Sequence, residues 1–202
     1  MKEINIIDFG LMGKQISALF YLLGYEIGVY NKSKLNIYEF EKQIKLLQRK
    51  IDFSNFNAGK INIYQHIEDL KNSLTIESLN EDLNLKKEIM QILRDNNIVF
   101  SNSSSLSMDD LNCDFIHFFN TIYIKLIELC GSNLERFTPL KDLKKLGFHI
   151  ICSKGNRGAL ANLLLFNEIS SFFKIIEKYD YNFKECQTVY DLLYEKRNLL
   201  NI

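Results

Sequence analysis

The sequence is most informative first through what it lacks. Among its 202 residues there is no tryptophan and a single proline, Pro139. Neither charge sign prevails, since Lys plus Arg and Asp plus Glu each number 25. A balanced chain has no overall field to recruit nucleic acid or an anionic membrane, so neither is expected as a partner. The four cysteines, at 113, 130, 152 and 186, form no CxxC pair and no metal-ligand spacing. They read as small apolar residues of a reducing compartment, with no metal site expected. The first thirty residues hold no basic stretch followed by an apolar block, so no signal peptide is read, and no uncharged apolar run is long enough to span a bilayer. A cytoplasmic protein is the expectation.

What is present is the patterning of a packed globular chain, 47% hydrophobic and 25% charged, long enough to bury a substantial core. Residues 3–8 (EINIID) read as a strand, Gly10 and Gly13 as a turn, and Ile16, Leu19, Phe20 and Leu23 as one face of a helix that ends at Gly24. EIGVY (26–30) is the next strand. Strand, turn, helix and strand in this order make a parallel crossover unit. Beyond it, helices are expected over 36–51, 65–71, 85–95 and 133–146, and strands over 61–63, 73–78, 98–102, 115–119, 125–130 and 148–152. After Cys152 the alternation gives way to two helices, 158–178 and 184–198. The fold class expected is α/β: a Rossmann-like, doubly wound, mostly parallel sheet over residues 1–153, followed by a short all-helical domain over 154–202.

The turn "DFGLMG" (8–13) holds two of the three glycines of a dinucleotide-binding fingerprint. Gly10 permits close approach of a pyrophosphate, Gly13 permits close packing of helix on strand, and the helix N-terminus at Met12 and Gly13 supplies amide donors and a favourable dipole for an anion, with Leu11 in the same cofactor turn. Asp8 stands where the first glycine is usual. At the end of the second strand, where an acid commonly accepts from the adenosine ribose, Asn31 is followed by Lys32, Ser33 and Lys34. NAD is the expected cofactor, and NADP stays physically open because Asn31 carries no charge to repel a 2′-phosphate.

Residues 99–129 bring a serine cluster (Ser103, Ser104, Ser105), His117 within "FIHFFN", Asn120 at that strand's end, and Glu128 on the following strand. Polar groups converging at strand ends beside a nucleotide turn suit proton abstraction from an alcohol. His117 is then the base, Glu128 holds its other ring nitrogen, and a serine hydroxyl contacts the reacting oxygen.

The succession "GLMGKQISALFYLLGYEIGVYNKS", "IESLNEDLNLKKEIM", "SNSSSLSMDDL", "HFFN" and "KLIEL" resembles the 3-hydroxyacyl-CoA dehydrogenase family over residues 3–170. The resemblance implies an NAD-dependent oxidoreductase of fatty acid metabolism that interconverts a 3-hydroxyacyl thioester, carried on CoA, and its 3-oxo form. It implies that Ser104 takes the place of the substrate-binding serine, His117 of the catalytic base and Glu128 of its acid partner. Asn162, in "GALANLL", falls where the family has an asparagine near the 3-oxygen, and Glu81 matches an acid on the nicotinamide side of the cofactor pocket. Departures from the pattern are Asp8, Asn31 and Thr121, the last where proline usually follows HFFN. The family's helical domain continues well past the 40 residues that follow Asn162 here, so a truncated second domain is expected, pairing with a second copy as a homodimer. Lys42, Lys45, Arg49 and Lys50 offer charge for CoA phosphates, with a solvated helix face as the plainer reading. Two other functions stay open: a binding or regulatory module that has lost cofactor affinity, and a dehydrogenase of a small 3-hydroxy acid without CoA.

Overall fold

A computed structural model of the protein describes residues 2–32, 35–93, 98–153 and 160–199. The chain divides into two compact units, Met1–Leu160 and Ala161–Ile202.

In the first unit, β1 (Glu3–Ile7), α1 (Leu11–Leu22) and β2 (Glu26–Tyr30) form the crossover expected from their apolar periodicity. They are followed by α2 (Ile37–Gln48), β3 (Lys60–Tyr64), β4 (Leu74–Glu77), α3 (Leu83–Leu93), β5 (Ile98–Ser101), α4 (Met108–Leu111), β6 (Asp114–Phe118), β7 (Leu126–Cys130), α5 (Leu140–Lys145) and β8 (His149–Ser153). Eight strands make one sheet in the order β3-β2-β1-β4-β5-β6-β7-β8. All neighbours pair in parallel except β6 and β7, which are antiparallel. The order reverses direction between β1 and β4, and at such a switch point the carboxyl ends of the strands open a crevice for ligand.

The core explains why these segments hold. Ile4, Ile6, Ile27, Val29, Ile76 and Ile116 are fully buried along the central strands, and Ile16, Leu19 and Phe20 of α1 are equally buried against them. Phe20 meets Tyr25, Phe118 and Phe137 edge to face, joining α1 to the far half of the sheet. Such pairs add to simple burial because ring edges and faces carry opposite partial charge. Gly24 stands at φ +85°, where an added Cβ would lie 2.8 Å from the Asn57 carbonyl oxygen, so it ends α1 as only glycine does readily.

The structure corrects the expected elements at three places. The helix read over 65–71 is a single 3-10 turn, Ile67–Asp69, ended by extended backbone at Leu70. The helix read over 133–146 is a single 3-10 turn, Leu134–Arg136, and a separate α5 beginning after Pro139. Proline fits the start of a helix and disfavours helical backbone in the residue before it. The short α4 went unread because its four residues show no periodicity; Ser107 caps it, accepting from Asp109 N–H at 3.1 Å. Residues 154–157 of the expected domain boundary and the first two residues of the helix expected from 158 lie outside the described residues.

The second unit is a helical hairpin of α6 (Leu160–Tyr179, whose first residue belongs to the first unit) and α7 (Phe183–Leu199). Asp180, at φ +53°, ends α6, and Tyr181 N–H reaches back to the Ile176 carbonyl. This left-handed residue with a 6→1 bond is the Schellman closure. Asn182 then caps α7 by accepting from Lys184 N–H at 2.9 Å. Phe172 packs edge to face on Phe183 and Tyr190, which clasps the hairpin.

Candidate active site

The loop that leaves β5 is stiffened by a relay of polar contacts. Glu77, at the end of β4, and Lys86 of α3 are almost wholly buried and pair at 2.6 Å. Glu77 also accepts from Ser101 Oγ at 2.6 Å and Leu79 N–H, while Lys86 donates to the Leu79 carbonyl at 2.9 Å. Burial pushes the Glu77 carboxyl up, against the pull of Lys86 and these donors. Ser101 Oγ accepts from Ser103 N–H at 3.2 Å, and Ser103 Oγ donates to Glu81 at 2.7 Å. Glu81 further accepts from the Ser104 hydroxyl at 3.0 Å and from its amide. Desolvation works upward on Glu81, but the Ser104 amide, the Ser103 hydroxyl and the charge of Lys86 outweigh it, and the carboxyl sits below its ordinary range. Asn102 ties the loop to the next strand, its Oδ1 accepting from Phe118 N–H at 2.8 Å.

His117 stands on β6 directly across from Glu128 on antiparallel β7. Side chains at opposed positions of such a pair lie on one face of the sheet. The imidazole packs edge to face on Phe119 at 4.4 Å. Burial holds its pKa below the ordinary histidine value, opposed by the Ser103 backbone carbonyl and by the charges of Glu128 and Glu81. His117 is therefore neutral at neutral pH, the state a general base requires. One detail differs from expectation: among the described residues, His117 Nδ1 is buried without a hydrogen-bond partner. Glu128 acts on the ring through its charge, and its Oε1 accepts from Leu160 N–H at 2.7 Å and from the Cys130 thiol at 3.6 Å.

The turn after β1 lies at the same end of the sheet. Gly10 precedes α1, and the first amide of the helical ladder is that of Lys14, bonded to the Gly10 carbonyl. The amides of Leu11, Met12 and Gly13 thus fall in the first turn, before the ladder begins. A Cβ on Gly13 would come within 2.1 Å of the Asp8 carbonyl oxygen, so only glycine allows α1 this close to β1. The fit to a dinucleotide is good at this helix end and is opposed by one group, the Asp8 carboxylate, which accepts from Gly10 N–H at 3.0 Å. Asn31 also faces the turn, its Oδ1 accepting from Phe9 N–H at 2.9 Å. Lys32 beside it is exposed, and Ser33 and Lys34 are outside the described residues. Buried Thr121 donates to Gln15 of α1 at 3.4 Å, which links the cofactor turn to the segment after His117.

Of the residues read from the sequence, the first unit brings Ser104, Glu81, His117 and Glu128 into one connected cluster, with Gly10, Leu11, Met12, Gly13 and Asn31 at the neighbouring turn. Asn162 stands on α6 in the second unit and is half-buried there. Asn120 caps the turn after β6, accepting from Ile122 N–H at 3.3 Å. Lys42, Lys45, Arg49 and Lys50 are exposed. Sequence reasoning gave no role to Glu77, Lys86 or Ser103. An acid and a lysine nine residues apart carry no sign that both are buried, and Ser103 looked interchangeable with its neighbours. Among the described residues no group of His, Cys, Asp and Glu is placed to hold a metal, and no helix is long and apolar enough to cross a membrane.

Fold and site together define a nicotinamide-dependent oxidoreductase of the Rossmann type. Residues 3–144 match the model of the 3-hydroxyacyl-CoA dehydrogenase NAD-binding domain, and the chain belongs to that family. It is 24% identical to human mitochondrial hydroxyacyl-coenzyme A dehydrogenase, over 95% of this chain and 71% of the human protein. Similarity to the 3-hydroxybutyryl-CoA dehydrogenase of Clostridioides difficile is 27% identity over 65% of this chain and 55% of that protein. The fold superposes on (S)-3-hydroxybutyryl-CoA dehydrogenase from Ralstonia eutropha with a TM-score of 0.74 at 21% identity, covering 92% of this chain and 75% of the other. An NAD+-dependent 5-dehydrogenase of a pyridine carboxylic acid gives 0.77 at 19% identity, covering 93% and 69%.

Proposed function

We propose that this protein oxidises a 3-hydroxyacyl thioester, carried on CoA, to its 3-oxo form, and runs the reverse reduction. The observation that carries the reading is the buried, neutral His117 set across from Glu128 and beside the Ser103 carbonyl, at the strand ends where the cofactor turn also lies. His117 takes the proton from the 3-hydroxyl. A nicotinamide bound here would accept the hydride that C3 gives up as the C3–O bond gains double-bond character. The imidazolium that results is stabilised by the charge of Glu128. Ser104 orients the substrate oxygen. The amides of Leu11, Met12 and Gly13 would hold the pyrophosphate, Asn31 the ribose, and Glu81 would serve the nicotinamide side.

Residues 1–153 serve as the dinucleotide-binding domain, and residues 154–202 serve the substrate and a second copy of the chain. Support for a homodimer comes from α6, where Leu163, Leu164 and Phe166 are each more than half exposed. Light scattering tests it, and a monomer at micromolar concentration would count against it. The free thiols of Cys113, Cys130, Cys152 and Cys186 agree with a reducing cytoplasm. The decisive experiment follows NADH consumption with acetoacetyl-CoA. Turnover is expected in the parent chain and lost in His117→Gln with NADH binding intact; equal turnover in the two would refute the role of His117.

A further inference from the structure

The amino end of α1 already holds an anion supplied by the chain itself. Asp8 has φ +73°, a left-handed conformation that most side chains avoid and that Asp tolerates through a local hydrogen bond. Its backbone is fixed on both sides. The Asp8 N–H donates to the Tyr30 carbonyl at 2.9 Å, and its own carbonyl accepts from Ser78 Oγ at 3.3 Å. The next amide, Phe9 N–H, is held by Asn31, and Gly13 packs on the Asp8 carbonyl too closely for any side chain to intervene. The turn therefore dictates where the carboxylate goes, and Oδ2 comes to rest 3.0 Å from Gly10 N–H. That is the end of α1 to which the helix dipole draws negative charge, and to which a dinucleotide brings its pyrophosphate.

We propose that Asp8 sets the affinity of this protein for its dinucleotide: held on Gly10 N–H, its carboxylate competes with the cofactor's pyrophosphate for the amino end of α1. The inference rests on the cofactor role given to this turn under Proposed function. Its consequence is weaker nicotinamide cofactor binding than the same turn would give without the charge. The effect belongs to the phosphates, because the carboxylate sits at their end of the site. Asparagine is the informative replacement. Its side-chain oxygen accepts the same bond from Gly10 N–H and its backbone tolerates the same φ, so the charge is removed and the turn is kept.

The test titrates the full chain, Asp8→Asn and Asp8→Gly with NADH, read by nicotinamide fluorescence, at low and high salt. NADH is expected to bind Asp8→Asn about tenfold more tightly at low salt, as one fewer negative charge near the surface implies. That advantage should shrink as salt screens the repulsion, and Asp8→Gly should gain at least as much. Circular dichroism establishes that each variant is folded, and Asp8→Asn decides the matter if the glycine variant is not. Equal or weaker binding in Asp8→Asn, or a gain that salt leaves unchanged, overturns the role of Asp8 while the cofactor reading stands. Failure of all three chains to bind NADH overturns both.

Discussion

Around Ser101–Ser104 hydrogen bonds run from Glu77 through Ser101 and Ser103 to Glu81, and the Ser103 backbone carbonyl meets His117, whereas at Asp8–Gly13 the side chains fold back onto their own turn. The serine loop is anchored in the protein interior by Glu77 and Lys86, and its geometry is set by groups that no solvent ion reaches. The cofactor turn is anchored by backbone bonds and closed by two side-chain oxygens, those of Asp8 and Asn31. The comparison separates two requirements of a dehydrogenase. The reacting end has to be rigid and partly dry, so that a neutral imidazole and a carboxylate persist side by side. The cofactor end has to offer amides to a charged ligand, and there a single carboxylate changes the balance.

The largest effect should come from breaking the anchor of the rigid end. Lys86→Met leaves Glu77 buried without its partner, and about 3–5 kcal/mol of folding stability should be lost by denaturant titration. The double variant Glu77→Gln, Lys86→Met removes both charges and should recover most of it. Next in size, His117→Gln should lower the turnover of a 3-hydroxyacyl-CoA by about a hundredfold to ten-thousandfold, the usual contribution of a positioned general base. A kcat/KM profile of the oxidation tests the electrostatics. Burial lowers the His117 pKa, so the acidic limb should fall below the ordinary histidine value of about 6.5. Glu128→Gln removes a charge that raises that pKa, and should move the limb lower still while kcat drops. The same shift bears on stability. The folded state binds a proton at His117 less readily than the unfolded state, so its contribution turns unfavourable as pH falls through about 6.5. On the cofactor side, Gly13→Ala should cost about 1–3 kcal/mol, because a Cβ 2.1 Å from the Asp8 carbonyl forces backbone apart. The expected gain in NADH affinity from Asp8→Asn is of the same order or smaller.

Much of the arrangement was legible along the chain because its signals are local. The crossover unit announced itself through a period of two, a glycine turn, a helical period and a C-terminal glycine within thirty residues. His117 and Glu128 stood out as polar residues within apolar strands, and a side chain of that kind has to be satisfied or used. The burial of Lys86 was not legible, since a lysine in a charged helix is most often at the surface. Ser103 could not be separated from Ser104 and Ser105 either. The three share a composition, and only the direction of the loop turns Ser103 inward and leaves Ser104 beside Glu81.

The sequence by itself determined the alternation of strands and helices, the glycine turn between β1 and α1, and the polar residues His117 and Glu128 within apolar strands, because each depends on neighbours within a few turns of chain. Tertiary structure alone decided that β7 runs antiparallel to β6 and so sets Glu128 across from His117, that Glu77 and Lys86 meet in the interior, and that the Asp8 carboxylate lies on Gly10 N–H. These depend on how distant segments stack: the pairing of strands fixes which side chains face one another, and the packing of α1 on the Asp8 carbonyl fixes where that carboxylate points.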